Sequence, residues 1–108
     1  VIIFAALLVY FAVSPGKQES AELDSFAKCL ADAGAVMYGA DWCPHCQNEK
    51  KQFGGAFQFI PYVECPDEPN RCLAAGITGY PTWVFPDDRK LKGEQGLEKL
   101  SQESGCAL

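Results

Sequence analysis

Trp42-Cys43-Pro44-His45-Cys46 decides how this chain is read. Two thiols three positions apart can close into a disulfide that opens again, so the stretch has the makings of a redox switch. Upstream, Ala35-Val36-Met37-Tyr38-Gly39 is an apolar run of strand type. Downstream, Gln47-Asn48-Glu49-Lys50-Lys51-Gln52-Phe53 is rich in helix formers and stops at Gly54-Gly55. The cysteine pair therefore sits at a strand-to-helix junction. There the unpaired N–H groups and the positive end of the macrodipole favour a thiolate, and Pro44 suits a first turn because it has no N–H to lose. Cys43 is expected to be acidic and exposed, and Cys46, one turn further in, shielded. The first would attack a partner and the second would resolve the mixed disulfide.

A Cys-x-x-Cys pair is also half of many zinc sites, which need a second pair of ligands at matching spacing. The only histidine, His45, lies inside the first pair, and Cys65 with Cys72 could complete four thiolates. Trp42 before the motif and the proline-containing stretch after it favour redox work, so neither a metal nor a cofactor is expected. The rival metal reading is a chaperone that holds a soft ion such as Cu(I) or zinc on Cys43, His45 and Cys46.

The motif after an apolar strand, followed by Gly76-Ile77-Thr78-Gly79-Tyr80-Pro81-Thr82-Trp83, resembles the thioredoxin family. More closely, residues 37–47 together with Tyr62-Val63-Glu64-Cys65 and Gly79-Tyr80-Pro81-Thr82-Trp83 resemble the thioredoxin-like domain associated with bacterial and plant vitamin K epoxide reductase homologues. The resemblance implies an α/β thioredoxin fold, a mixed four-stranded sheet flanked by helices. With Asp24-Ser25-Phe26 and the Gly34 stop as signals for the first helix, helices are expected at 23–33, 43–53, 70–75 and 97–103. Strands are expected at 35–39, 57–64, 82–85 and 90–92.

The resemblance also implies a cis Tyr80–Pro81 bond, cis being cheap only before proline. Backbone groups of Tyr80 would then point toward the cysteine pair, and a partner's extended chain could bind there by main-chain hydrogen bonds. Without the cysteine pair, Pro81 would read as a trans proline opening an edge strand. Alignment on the Trp-Cys landmark puts Met37 where the family has a buried carboxylate, and a thioether cannot carry protons for the resolving thiol. The Pro44-His45 dipeptide is shared with the oxidising DsbA family. A His45 imidazolium near Cys43, with Pro44 and Trp42 beside it, would stabilise the thiolate and hence the reduced form, which makes the disulfide a better oxidant.

Six cysteines in 108 residues agree with an oxidising compartment. Cys65 ends a strand and Cys72 follows the turn-rich Pro66-Asp67-Glu68-Pro69, so a bridge between them would close a small loop. In the thioredoxin topology that bridge lies on the edge of the active site, as a staple or as an electron relay to Cys43 and Cys46. Cys29 and Cys106 belong to helix ends at the opposite edge, where they would form a clasp or remain free buried thiols.

Residues 1–13 are an unbroken apolar stretch with no polar face, and they belong in lipid or a translocon. At 1.5 Å per residue they span about 20 Å, short of the roughly 30 Å hydrocarbon core, which suits a signal segment or a truncated anchor. Residues 14–22 read as a linker and 23–108 as the thioredoxin-like domain. Either membrane reading puts that domain on the extracytoplasmic side. A core helix or strand of a soluble domain is the bland alternative for residues 1–13.

The remaining composition bounds function. A chain this short makes one small domain; 48% hydrophobic residues, with seven Phe, four Tyr and two Trp, allow a modest core. A net charge of −5 without basic clusters argues against nucleic acid. The expected function is a membrane-anchored or exported thiol–disulfide oxidoreductase acting on protein dithiols and disulfides, leaning to oxidase or isomerase work. By resemblance, its redox partner would be a quinone-linked membrane oxidoreductase. A non-catalytic binding module that merely displays the edge at Tyr80 is the rival outside metal chemistry.

Overall fold

The computed structural model describes residues 15–108. Helix α1 (Pro15–Asp32) leads into strand β1 (Val36–Gly39) and helix α2 (Pro44–Phe53). A 3-10 segment (Gly54–Phe59) follows, then β2 (Tyr62–Glu64), α3 (Pro69–Ala74), β3 (Thr82–Val84), β4 (Lys90–Lys92) and α4 (Leu97–Ser104). The sheet order is β2-β1-β3-β4. β1 runs parallel to β2 and antiparallel to β3, which pairs antiparallel with β4. This mixed four-stranded sheet with its helices is consistent with a thioredoxin fold.

Strand alternation divides the core in two. Met37 faces a cluster with Phe26 and Leu30 of α1, Phe53 of α2, Trp83 of β3 and Leu100 of α4. Tyr38 faces the other way, with Val63, Cys65 and Cys72. The register pairs Met37 with Trp83 on one side and with Tyr62 on the other. Full burial of side chains the size of Trp83, Phe26 and Phe53 contributes about 2–3 kcal/mol each and clamps α1 and α2 to one face of the sheet.

Two expectations about elements are corrected. The first helix starts at Pro15 rather than at residue 23, so residues 15–22 are helix, not linker. Pro is tolerated in a first turn, and from Lys17 to Glu22 nothing breaks a helix. The apolar segment 1–13 lies outside the described residues; among those described, no helix is long and apolar enough to cross a membrane.

The strand expected over 57–64 is reduced to Tyr62–Glu64. Gly54 leaves α2 at a φ of 56°, a region open to glycine, and the chain keeps coiling as a 3-10 helix. That coil packs the Phe57 ring edge-on against Phe53 at 6.0 Å and Tyr62 at 5.7 Å. Pro61 has no N–H to give a ladder, yet its carbonyl accepts from Met37 N at 3.0 Å and so begins the pairing with β1.

Two disulfides fasten the ends. Cys29 in α1 joins Cys106 beyond α4, with Cα atoms 5.9 Å apart across a sequence separation of 77, which decides for the clasp over free thiols at that pair. Cys65 and Cys72 close a short loop from β2 into α3 over 7 residues, with Cα atoms 5.7 Å apart. Because a longer closed loop removes more freedom from the unfolded chain, losing the first bridge by a double Cys→Ser change should cost about 4 kcal/mol and losing the second about 2 kcal/mol. Urea unfolding of the two variants checks the ranking; equal losses would contradict it.

Candidate active site

Cys43 is the N-cap of α2, and Pro44 occupies the first turn. Its Sγ accepts the Cys46 backbone N–H at 3.3 Å, so one of the orphan donors of the helix is spent on sulfur. On its other side the same thiol lies 3.7 Å from the Tyr80 carbonyl oxygen, to which it donates. Both Cys43 and Cys46 are free thiols. Cys46, one turn into the helix, is fully buried. Burial pushes its thiol up to about 12; the Ala40 backbone opposes that rise, Cys43 adds to it, and the Lys50 charge opposes it weakly.

The expectation of an open Cys43 is corrected, because only 5% of the residue is exposed. Its sulfur is folded back on the helix mouth and covered by the loop that carries Tyr80. What stands open is its neighbour: Trp42 is 64% exposed and meets the Tyr80 ring edge-on at 6.0 Å. The Tyr80–Pro81 peptide is cis. Thr82 Oγ1 donates to the Gly79 carbonyl at 2.8 Å and pins the same loop.

His45 does not reach toward Cys43 as a tuning group would. Its Nδ1 lies 2.8 Å from Glu94 Oε1 in the loop after β4, and Asn48 Nδ2 donates to that same oxygen at 3.3 Å. The imidazole beside Glu94 holds its carboxyl below the usual value. A helix whose first turn is polar and solvated can swing the ring outward, and the acidic loop residue settles which way it goes.

Sequence reasoning passed over three carboxylates here. Glu49 is completely buried and accepts three hydrogen bonds: from Trp83 Nε1 at 3.1 Å, Gln95 N at 2.7 Å and Gly96 N at 2.8 Å. It thereby ties α2 to β3 and to the N-terminus of α4. The helical spacing of Cys46, Glu49 and Phe53 would have marked its inward face. Glu64 joins the Tyr62 hydroxyl at 2.5 Å and accepts the Asp41 backbone N–H at 2.8 Å, which anchors the turn before Trp42. Glu94 carried no local signal.

Metal readings fare differently from the dithiol. Cys65 and Cys72 are spent on each other, so they cannot complete a tetrathiolate with Cys43 and Cys46. His45 is turned to Glu94, and no group of three or more His, Cys, Asp or Glu among the described residues is placed to hold an ion.

The sheet order and a capping cysteine with its mate buried one turn behind it are consistent with a thioredoxin-like dithiol domain. Similarity to known proteins supports that family. No family model matches the chain. Over 94% of its length it is 38% identical to thiol-disulfide oxidoreductase LTO1 of Arabidopsis thaliana, 29% of which it covers. It is 33% identical over 66% of its length to protein disulfide isomerase-like 2-2 of Oryza sativa subsp. japonica, covering 23% of that protein. To probable protein disulfide-isomerase A6 of Medicago sativa it is 28% identical over 92% of its length, covering 31% of it. The chain thus spans less than a third of each of these curated relatives.

Proposed function

We propose that this chain is the redox-active domain of a thiol–disulfide oxidoreductase that works on protein dithiols and disulfides outside the cytosol, with an oxidising or isomerising lean. The observation that carries it is the pairing of an N-cap sulfur, hydrogen-bonded by the next turn of its own helix, with a second thiol buried behind it. Catalysis falls to Cys43 and Cys46. In the oxidised form a substrate thiolate attacks Cys43 Sγ, the Cys43–Cys46 bond breaks, and Cys46 leaves with the electron pair and takes a proton. The substrate's second thiolate then attacks its own sulfur in the mixed disulfide. Substrate leaves oxidised, and Cys43 and Cys46 are left reduced.

Recognition would use the backbone at Tyr80 and Pro81, which borders Cys43 and accepts its thiol proton, together with the open face of Trp42. The oxidising lean rests on the Cys46 N–H given to Cys43 Sγ and on Met37, apolar and buried, in the strand before the site. With its ring on Glu94, His45 contributes through its place in the first turn rather than through charge beside sulfur. Two further disulfides and the apolar residues 1–13 support an anchored or exported domain in an oxidising space. Its oxidant would be a quinone-linked membrane protein of the vitamin K epoxide reductase homologue type.

Equilibrium against glutathione, with a Cys46→Ser control, tests the reading. The expected potential for Cys43–Cys46 lies well above the roughly −270 mV of thioredoxin, toward the roughly −180 to −120 mV of isomerases and oxidases. A value near −270 mV defeats the oxidising lean, and a pair that never exchanges defeats the oxidoreductase reading in favour of a binding module.

A further inference from the structure

A buried thiol whose proton is held as firmly as that of Cys46 does not become a nucleophile near neutral pH unless a neighbour takes the proton as the sulfur attacks. Met37 cannot do so. Glu49, the buried carboxylate on the same helix, is already occupied by Trp83 and by two backbone N–H groups. The ionisable and charged groups that act on Cys46 are Cys43 and Lys50 on α2, while Tyr62 on β2 feels Cys46 together with Glu64 on its own strand and Asp41 in the turn before α2.

Gly39 shows which of these shares a space with the sulfur. A Cβ built on Gly39 would lie 2.9 Å from Cys46 Sγ and 3.2 Å from the Tyr62 hydroxyl oxygen. Both groups therefore crowd the same bare face of β1, the sulfur and the hydroxyl oxygen each bordering the space that a side chain at Gly39 would fill. The parallel register sets this up: Tyr62 stands opposite Met37, and Glu64 stands opposite Gly39. From Tyr62 the path continues, since its hydroxyl donates to Glu64 Oε1. Glu64 belongs to the partly exposed rim and can release a proton to water. Lys50 Nζ lies 4.0 Å from the Tyr62 ring centroid and keeps a positive charge beside the path.

We propose, resting on the dithiol chemistry above, that Tyr62 and Glu64 form the proton path of the resolving thiol. As Cys46 Sγ attacks Cys43 Sγ of a mixed disulfide, its proton passes to the Tyr62 oxygen while the Tyr62 proton passes to Glu64. The Cys43–partner bond breaks, the Cys43–Cys46 bond forms, the partner leaves as a thiolate and Glu64 is left protonated. In the reverse direction Glu64 and Tyr62 return the proton to the departing Cys46. Burial and the Glu64 hydrogen bond raise the Tyr62 hydroxyl above its ordinary value, which suits a group that relays a proton without storing charge. Tyr62 is the relay and Glu64 acts through it, so Glu64 is a positioning residue that also takes the proton.

The test uses the full chain, reduced and mixed with oxidised glutathione, with quenched-flow mass spectrometry following release of glutathione from the Cys43 mixed disulfide. In the unaltered protein the release rate should vary by less than about twofold between about pH 6.5 and 8.5, because the proton acceptor is built in. Tyr62→Phe should slow release about 10- to 100-fold near pH 7 and make it rise about tenfold per pH unit, the mark of a thiol that must lose its proton to solvent. Glu64→Gln keeps an oxygen for the Tyr62 hydroxyl but cannot take the proton, and should move the profile the same way; it decides the matter if Tyr62→Phe does not fold. Rates and profiles unchanged in both variants, or lowered equally at every pH, would overturn the relay while leaving the dithiol reading intact. A wild-type chain that forms no mixed disulfide with glutathione would overturn that reading itself, and the relay with it.

Discussion

Cys43→Ser is expected to abolish disulfide exchange, with a loss of more than about 10³-fold, while Cys46→Ser leaves the first step working and stops the second. The asymmetry follows from position. Cys43 Sγ lies at the helix mouth against the Tyr80 carbonyl, whereas Cys46 is fully buried behind it, out of reach of a partner's sulfur. Incubated with a reactive disulfide, Cys46→Ser should accumulate a mixed disulfide on Cys43 that survives until an external thiol is added. Cys43→Ser should accumulate none. Non-reducing electrophoresis and intact mass spectrometry read both outcomes, and a Cys46-linked adduct in Cys43→Ser would reverse the assigned order of attack.

Glu49→Ala should be among the most damaging substitutions away from sulfur, with a loss of roughly 4 kcal/mol of folding stability. The change strands the Trp83 indole N–H and the backbone N–H groups of Gln95 and Gly96, each with a desolvation cost of about 1–3 kcal/mol that relaxation only partly recovers. Because Gly96 is the N-cap of α4, that helix also loses the negative charge at its positive end. Glu49→Gln retains one oxygen acceptor and should lose about half as much. Denaturant titration with Trp fluorescence provides the measurement. A loss below about 1 kcal/mol for Glu49→Ala would show that the three donors find other partners.

Several features of the site were visible before any coordinates. The spacing of Cys43 and Cys46, Pro44 behind a cap, an apolar run before and helix formers after are all short-range facts, and they put one sulfur at a helix mouth and the other a turn inside. The β1 strand and α2 came out close to where the pattern put them, at Val36–Gly39 and Pro44–Phe53. Phe57 to Ile60 failed for an equally local reason that pulled the other way. Aromatic residues suit strands by composition, but here a glycine at positive φ and packing on Phe53 kept the chain coiled.

Composition and spacing reached as far as the covalent and local chemistry of this chain: a dithiol at a strand–helix junction, a sheet-and-helix architecture, and cysteines enough for two bridges besides. Long-range meetings had to wait for the folded chain. His45 finds Glu94 from 49 residues away, Glu49 finds Gln95 from 46, and Tyr62 meets the surroundings of Cys46 only because β2 lies in parallel register beside β1. A residue's propensity is a property of its neighbours in sequence. Its hydrogen-bond partner depends on where a loop returns, and that is settled by packing of the whole core, which no short stretch encodes.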